Sequence, residues 1–285
     1  MTVGDVLRRA TEYLAERGVA SPRVDAELLL AHGLGLERIE LYTQHDRPLN
    51  PDERAVVREL VRRRGRREPL AYVLGDCGFR HLVLKTDTRA LIPRPETEVV
   101  VDRCLALLAG TDAPRVLDVG TGCGAIALSI AREHPGARVI ATDSSPDALA
   151  LAGENAQRLG LELELAPGDL LAGVAGPFDL VVSNPPYVSA AELGSLEPEV
   201  RDWEPRAALV DDGQTERLAA AARAVLQGSL VLEVHEERAT EVRRLLEGLG
   251  YVDVRVTPDL ALRPRVVEGR TPAGANPRRQ PGRDR

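Results

Sequence analysis

Lysine is almost absent from the 285-residue chain: Lys85 stands alone, and arginine supplies nearly all the positive charge. Schiff-base chemistry is left with a single candidate. Cysteine is scarce too. Cys77, Cys104 and Cys123 lie far apart, form no Cys-x-x-Cys pair and are odd in number, and none of the five histidines sits in a His-Glu-x-x-His motif. This argues against a disulfide framework and against a metal site, and fits a reducing cytoplasm. No apolar run approaches the length that spans a bilayer. The opening MTVGDVLRRATEYLAERG carries acids and lacks the apolar stretch of a secretion signal. A soluble, cytoplasmic protein is expected. The formal net charge of −7 opposes a life of broad phosphate contacts, though not a local basic patch.

What is present is a substantial apolar content, 44 % of residues, in a chain long enough for one large domain and a small one. Residues 1–75 read as helices only. Val6, Leu7, Ala10 and Leu14 share one helical face. A second helix is expected after Ser21 as N-cap and Pro22 at the first position, with Gly33 as its stop. A third opens on Asn50 and Glu53, a capping-box spacing. Its basic run, Arg62 to Arg67, reads as a solvated helix end complementing the helix dipole rather than a nucleic-acid contact. FRHLVLKTDTRALIP alternates like a pair of short strands and marks residues 76–93 as a hairpin linker, with a helix beginning near Pro95.

From Arg115 the pattern alternates strand and helix. RVLDVG, ARVIATD, LELELA, FDLVVSN, SLVLEV, VDVRVT and RVVEG read as seven strands of a doubly wound α/β sheet. The last two have no helix between them and are expected to pair antiparallel. Residues 94–270 form this second domain, and 271–285, rich in Pro, Gly and Arg without periodicity, read as a disordered tail.

VLDVGTGCGAIALSI is a strand, a glycine-rich turn and a helix. Gly120, Gly122 and Gly124 let the backbone turn tightly and approach a ligand, and with Ala125 they also satisfy a loose dinucleotide pattern. Three acids end successive strands. Asp118 stands just before the glycines, where a cationic ligand head suits it and a pyrophosphate is repelled. Asp143 can take both ribose hydroxyls, and Asp169 can accept from an adenine amino group. The cationic ligand this favours is S-adenosylmethionine.

FDLVVSN stops on SNPPYV, Ser183 to Val188. Neither proline has an N–H, so the chain leaves the sheet after Asn184, stiff and extended. Asn184 Oδ1 and the Pro185 carbonyl then form two rigid acceptors. Aimed at a conjugated NH2, they favour a pyramidal nitrogen with a free lone pair, and Tyr187 offers a flat face for the substrate plane. Catalysis of this kind works by orientation and preorganised electrostatics.

NPPY after a strand, downstream of DVGTGCG, resembles the amino methyltransferases of adenine N6, cytosine N4 or glutamine N5. REPLAYVLG, then Phe79, LIPRPETE at Leu91 to Glu98 and EPRAAL at Glu204 to Leu209 narrow this. They resemble the protein-(glutamine-N5) methyltransferases of peptide chain release factors, the PrmC/HemK family, over nearly the whole chain to about residue 270. The resemblance implies a class I S-adenosylmethionine-dependent methyltransferase fold with a small N-terminal helical substrate-binding domain. It implies methyl transfer to the glutamine of a Gly-Gly-Gln loop in class 1 release factors, with S-adenosylhomocysteine as product and no nucleic-acid substrate. Carried over, Asp118, Gly120, Thr121, Gly122, Cys123, Gly124, Asp143, Asp169, Leu170 and Asn184 bind cofactor. Asn184, Pro185, Pro186 and Tyr187 hold the glutamine amide, with Asn184, Pro185 and Tyr187 as the catalytic group. Three places depart from the family pattern: Leu170, where an aromatic is frequent; His235 and Arg238, where Gly and Gln are usual; and DLALRPR near the end. His235 reads as a surface residue. Competing readings are a nucleic-acid amino methyltransferase, an NAD-dependent oxidoreductase and a silent scaffold.

Overall fold

The computed structural model describes residues 1–272 and divides them into two compact units. The first is Met1–Asp76 together with Leu196–Trp203. It contains α1 (Val3–Glu16), α2 (Pro22–Leu34), α3 (Glu40–Thr43), α4 (Pro51–Gly65) and α5 (Leu70–Leu74). Both long amphipathic helices that start at a capping box, α1 from Thr2 and Asp5 and α4 from Asn50 and Glu53, satisfy two orphan N–H groups reciprocally. Leu7, Leu14, Leu29, Leu30, Leu41 and Val57 fill the core between them.

Three local expectations are corrected here. Gly33 does not stop α2: a Cβ there would stand 3.0 Å from Leu60 and 3.2 Å from Val57, so the glycine lets two helices approach. The stop is Gly35, in the left-handed region at φ 64°. Ser21 precedes α2 without a side-chain cap. The arginine run is solvated only in part: Arg62 and Arg66 are exposed, the others are not. Arg64 is buried, donating from Nε to Asp25 at 2.7 Å and pairing with Glu199 at 2.8 Å. Arg63 holds Glu68 and the Tyr72 carbonyl, and Arg67 holds Glu199. Glu199 lies on α9 (Pro198–Arg201), in a segment the sequence reading placed with the sheet.

The second unit begins at Cys77, in the first strand of a two-stranded hairpin, β1 (Asp76–Phe79) and β2 (Leu82–Lys85). The main sheet has β3 (Arg115–Val119), β4 (Arg138–Asp143), β5 (Glu164–Pro167), β6 (Phe178–Ser183), β7 (Leu226–Glu233), β8 (Val252–Pro258) and β9 (Pro264–Arg270). Their order is β5-β4-β3-β6-β7-β9-β8. The first five run parallel, and β9 is antiparallel to both β7 and β8. The seven expected strands and the antiparallel closing pair are all present. Helices α6 (Thr97–Leu108), α7 (Ala125–Glu133) and α8 (Pro146–Leu159) cover the face carrying Val116, Leu180 and Val231. α11 (Gln214–Ala222) and α12 (Ala239–Gly248) cover the face carrying Leu117, Val181 and Leu230; the short α10 (Arg206–Leu209) precedes α11. Strands buried on both faces read as continuous apolar runs, which is why these are so legible.

From β3 the chain steps outward to β4 and β5, then returns to lay β6 on the other side of β3. That reversal opens a crevice at the carboxyl ends of β3 and β6. Of the expected tail, residues 273–285 lie outside the described residues. Thr271, assigned to it, is buried, and its N–H donates to the Gly228 carbonyl at 2.9 Å.

Candidate active site

A cleft of about 250 Å³ lies at that crevice, within the sheet unit. Its walls are Gly120 to Cys123 after β3, Asp143 after β4, Asp169 and Leu170 after β5, and Asn184 to Pro186 after β6. Residues 89–94 and Thr97 line it from the hairpin side, and Pro205, Ala207 and Ala208 complete it.

The glycine loop is held by backbone. Gly120 and Thr121 N–H both donate to the Thr142 carbonyl, at 2.8 and 2.9 Å. Gly120 has φ 72°, and a Cβ on it would meet no atom within 4 Å: its exposed backbone faces open space, where a ligand can approach. Gly124 is different. It is not on the cleft wall but opens α7 at φ 88°, and a Cβ there would be 2.9 Å from Leu128. Asp143 accepts from Gly122 N–H and Ser145 N–H, both at 2.9 Å, so its carboxylate is fixed at the rim. Asp169 is exposed there, and Leu170 follows in the left-handed region at φ 53°, a conformation a branched residue adopts only when its surroundings impose it. The Cys123 thiol is pushed by burial up to about 12 and is no nucleophile at neutral pH.

Asp118 is not on the wall. It is 1 % exposed, and its Oδ2 accepts from Thr121 Oγ1 at 2.7 Å and from Ala127 N–H at 3.2 Å, tying the glycine loop to α7 from beneath. Among the described residues Oδ1 has no partner, and burial lifts the carboxyl to about 7 against the pull of those two bonds. Alternation along β3 was the available signal: Leu117 and Val119 face one core and Val116 the other, so Asp118 must point toward α7.

At the end of β6, Ser183 donates to the Val119 carbonyl at 2.7 Å, locking the clamp strand to the glycine strand. Asn184 Nδ2 donates to Thr97 Oγ1 at a long 3.4 Å, and Oδ1 takes no hydrogen bond from the described residues. Pro185 and Pro186 share its cleft. Tyr187 turns away from it. Its ring tilts 43° against His235 at 6.0 Å, and burial raises its hydroxyl. Beyond, Val188 pairs with the stretch after α10: its N–H donates to Leu209 O, and its carbonyl accepts from Asp211 N–H. Arg238, one of the departures, binds Asp211 and pairs with Glu216 at 2.6 Å, so it braces that return.

Sequence reasoning missed four supporting residues. Arg94 and Glu204 stand inside two recognised motifs, yet nothing local pairs them. Arg94 Nη2 reaches both Glu204 oxygens at 2.7 and 2.8 Å; burial raises the Glu204 carboxyl while Arg94 lowers it. Thr97 and Glu233 lie behind Asn184. Glu233, last in β7, is buried, and its Oε2 has no partner among the described residues. Burial pushes it up to about 7, opposed by the neighbouring Thr97 hydroxyl and by the charges of Arg265 and Arg94.

Residues 5–75 match the family described as PrmC N-terminal domain, and residues 100–197 match the methyltransferase small domain. The release factor glutamine methyltransferase of Chlorobaculum tepidum is 42 % identical over 90 % of this chain and 93 % of its own. The protein of the same name from Deinococcus radiodurans is 42 % identical over 96 % of this chain and all of its own (100 %). Among solved structures, a 16S ribosomal RNA methyltransferase of Thermus thermophilus in complex with AdoMet and guanosine superposes with a TM-score of 0.52. It is 17 % identical and covers 69 % of this chain and 49 % of that one, a likeness of fold alone.

Proposed function

The chain belongs to the release factor glutamine methyltransferase family, and from that premise we propose that it methylates the side-chain nitrogen of a release-factor glutamine. The acceptor we assign is the glutamine of the Gly-Gly-Gln loop of class 1 release factors, and the donor is S-adenosylmethionine. The oxidoreductase reading falls with family membership.

One observation supports the reading most. Asn184, with an open Oδ1, and Pro185 share a cleft with the glycine loop and Asp143 at the switch point of the sheet. The residues present suit a nucleoside-bearing donor: Asp143 and Asp169 offer acceptors at the ends of neighbouring strands on the cleft wall. Asp143 would take the ribose hydroxyls, Asp169 and Leu170 the adenine, and the Gly120 to Cys123 backbone the methionine part. When bound, S-adenosylmethionine supplies an electrophilic methyl on a sulfonium and leaves as S-adenosylhomocysteine. Asn184 Oδ1 and the Pro185 carbonyl accept from the two glutamine N–H groups, hold the nitrogen lone pair toward the methyl and let one N–H proton pass to water as the N–C bond forms. Pre-set acceptors do this without reorganising as charge develops. No strong base is required. Among the described residues no helix is long and apolar enough to cross a membrane, in keeping with a cytoplasmic enzyme.

The test is peptide mass spectrometry of a release factor incubated with the protein and S-adenosylmethionine. A gain of one methyl on the Gly-Gly-Gln fragment, absent from a Gln→Glu substrate, is expected. Methyl on nucleic-acid adenine with that fragment unmodified overturns the substrate.

A further inference from the structure

The turn between β8 and β9 displays two leucines to solvent. Leu260 is 98 % exposed and Leu262 83 %, the most exposed large apolar side chains among the described residues. The backbone that carries them is braced. Asp259, buried at the base of the turn, accepts from Ala261 N–H at 2.9 Å and from Arg263 N–H at 3.0 Å. It also pairs with Arg265 at 3.3 Å. Its own N–H donates to the Arg263 carbonyl, and Leu262 N–H donates to the Asp259 carbonyl. Leu262 stands in the left-handed region at φ 63°, where glycine sits without steric cost and a side chain does not. An exposed side chain gains no packing inside the fold to offset that cost. The fold alone therefore accounts for neither the leucine nor its conformation. Both leucines belong to DLALRPR, the stretch that departs from the family pattern.

What covers them follows from where the turn lies. β9 runs antiparallel to β7 with Val266 opposite Glu233, and Val234 N–H donates to the Arg265 carbonyl at 2.8 Å. The turn thus rises past the carboxyl end of β7, on the sheet edge where the cleft opens. Contacts run unbroken from the clamp to the turn. The Tyr187 ring lies 6.0 Å from that of His235, and the next residue, Glu236, pairs with Arg263 at 3.7 Å. β9 stands two strands from β6, about 10 Å at ordinary strand spacing. A standard protein interface covers about 800 Å² on each partner, a disc of roughly 16 Å radius. A protein that seats its glutamine in the cleft therefore reaches the turn.

We infer that Leu260 and Leu262 form a docking knob for the protein substrate, burying against an apolar hollow of the release factor beside the loop that carries the reacting glutamine. The inference rests on the release factor as substrate. Neither leucine lines the cleft, so they act on capture of the whole protein and leave the methyl-transfer step alone. Covering one exposed leucine is worth about tenfold in affinity at the low end of the usual range.

The test is steady-state methylation of a full-length class 1 release factor by the full chain, with calorimetric binding of the same two proteins. Leu260→Ser and Leu262→Ser should each raise KM and weaken binding about 10-fold, and the double variant about 30- to 100-fold. Their kcat and their affinity for S-adenosylmethionine should match the wild type. Leu262→Gly separates docking from folding, because it removes the side chain and relieves the backbone. It should melt no lower than the wild type, and up to about 3 °C higher, yet raise KM as Leu262→Ser does. An unchanged KM in the double variant, a loss in kcat instead, or a Leu262→Gly protein that melts several degrees lower overturns the inference. So does a wild-type dimer in sedimentation, or binding to phosphatidylglycerol vesicles, that the double variant loses while KM stays put. Methylation with KM unmoved sinks the docking knob alone; a release factor left unmethylated and unbound by the wild type sinks the functional reading and the knob with it.

Discussion

At the glycine-loop end of the cleft the polar side chains bind their own surroundings; at the Asn-Pro-Pro-Tyr end they reach across the chain. Asp143 is satisfied by Gly122 and Ser145, the latter two residues away, and Asp118 Oδ2 by Thr121 and Ala127. Asn184 touches Thr97, 87 positions distant, and Arg94 holds Glu204 across 110. Carboxylates that cap backbone N–H groups are part of the fold as well as of the site. An acceptor left open, as Asn184 Oδ1 is, contributes little to the fold. The nucleotide end therefore joins function to stability, and the acceptor end separates them.

The sharpest probe of that separation, and the largest effect, is Asn184→Ala. Turnover should fall about 100- to 1,000-fold, as when one preorganised donor or acceptor is removed. Because the one side-chain hydrogen bond it makes among the described residues is long, stability should move by no more than about 0.5 kcal/mol. Calorimetric titration with S-adenosylmethionine and a denaturant melt check both halves. A large loss of stability would place Asn184 in the fold and erase the contrast.

Asp143→Ala should behave in the opposite way. Losing an ionic acceptor costs about 1.5–3 kcal/mol, hence roughly 10- to 100-fold in cofactor affinity. The same change strips the Gly122 and Ser145 N–H groups of their acceptor, so the melting temperature should fall with it. A variant that binds cofactor weakly yet melts like the wild type breaks the comparison at this end.

The same difference governs what was legible in the sequence. The strands, the glycine loop, Asp143 and the clamp are local patterns, and each stands where the pattern put it. Asp118 was recognised as important but assigned the wrong surroundings, because its face depends on which side of β3 carries α7. Tyr187 turned to His235, a residue read as plain surface. Thr97 and Glu233 were invisible as a pair, since only the parallel packing of β6 and β7 and the docking of α6 bring them near the clamp, and Glu204 was invisible as the partner of Arg94, 110 positions away. The arginine run failed for the same reason: its acid, Glu199, lies 132 residues from Arg67. Spacing reveals what a segment does for itself; it says nothing of a partner delivered by topology.

The smallest effect tests whether the buried carboxyl of each end reports on the fold. Asp118 is fully enclosed, and burial raises its carboxyl from 3.8 to about 7. A folded value above the unfolded one means that between roughly pH 4 and 7 the native state holds a proton the unfolded chain has already released. Stability is then greatest below the unfolded value, declines as pH climbs, and levels off above about 7. Between pH 5 and 8 this contribution should amount to on the order of 1–2 kcal/mol, discounted for relaxation around a buried charge. Asp118→Asn keeps an oxygen for Thr121 Oγ1–H and Ala127 N–H and cannot ionise, so its stability should decline less over that interval. Glu233 titrates in the same range and adds its own share, which Asp118→Asn leaves in place and Glu233→Gln removes. Denaturant melts of the wild type and both variants at pH 5, 6.5 and 8 measure the two shares. Parallel curves for wild type and Asp118→Asn would mean that the carboxyl beneath the glycine loop is ionised throughout, held by its two bonds against the cost of burial.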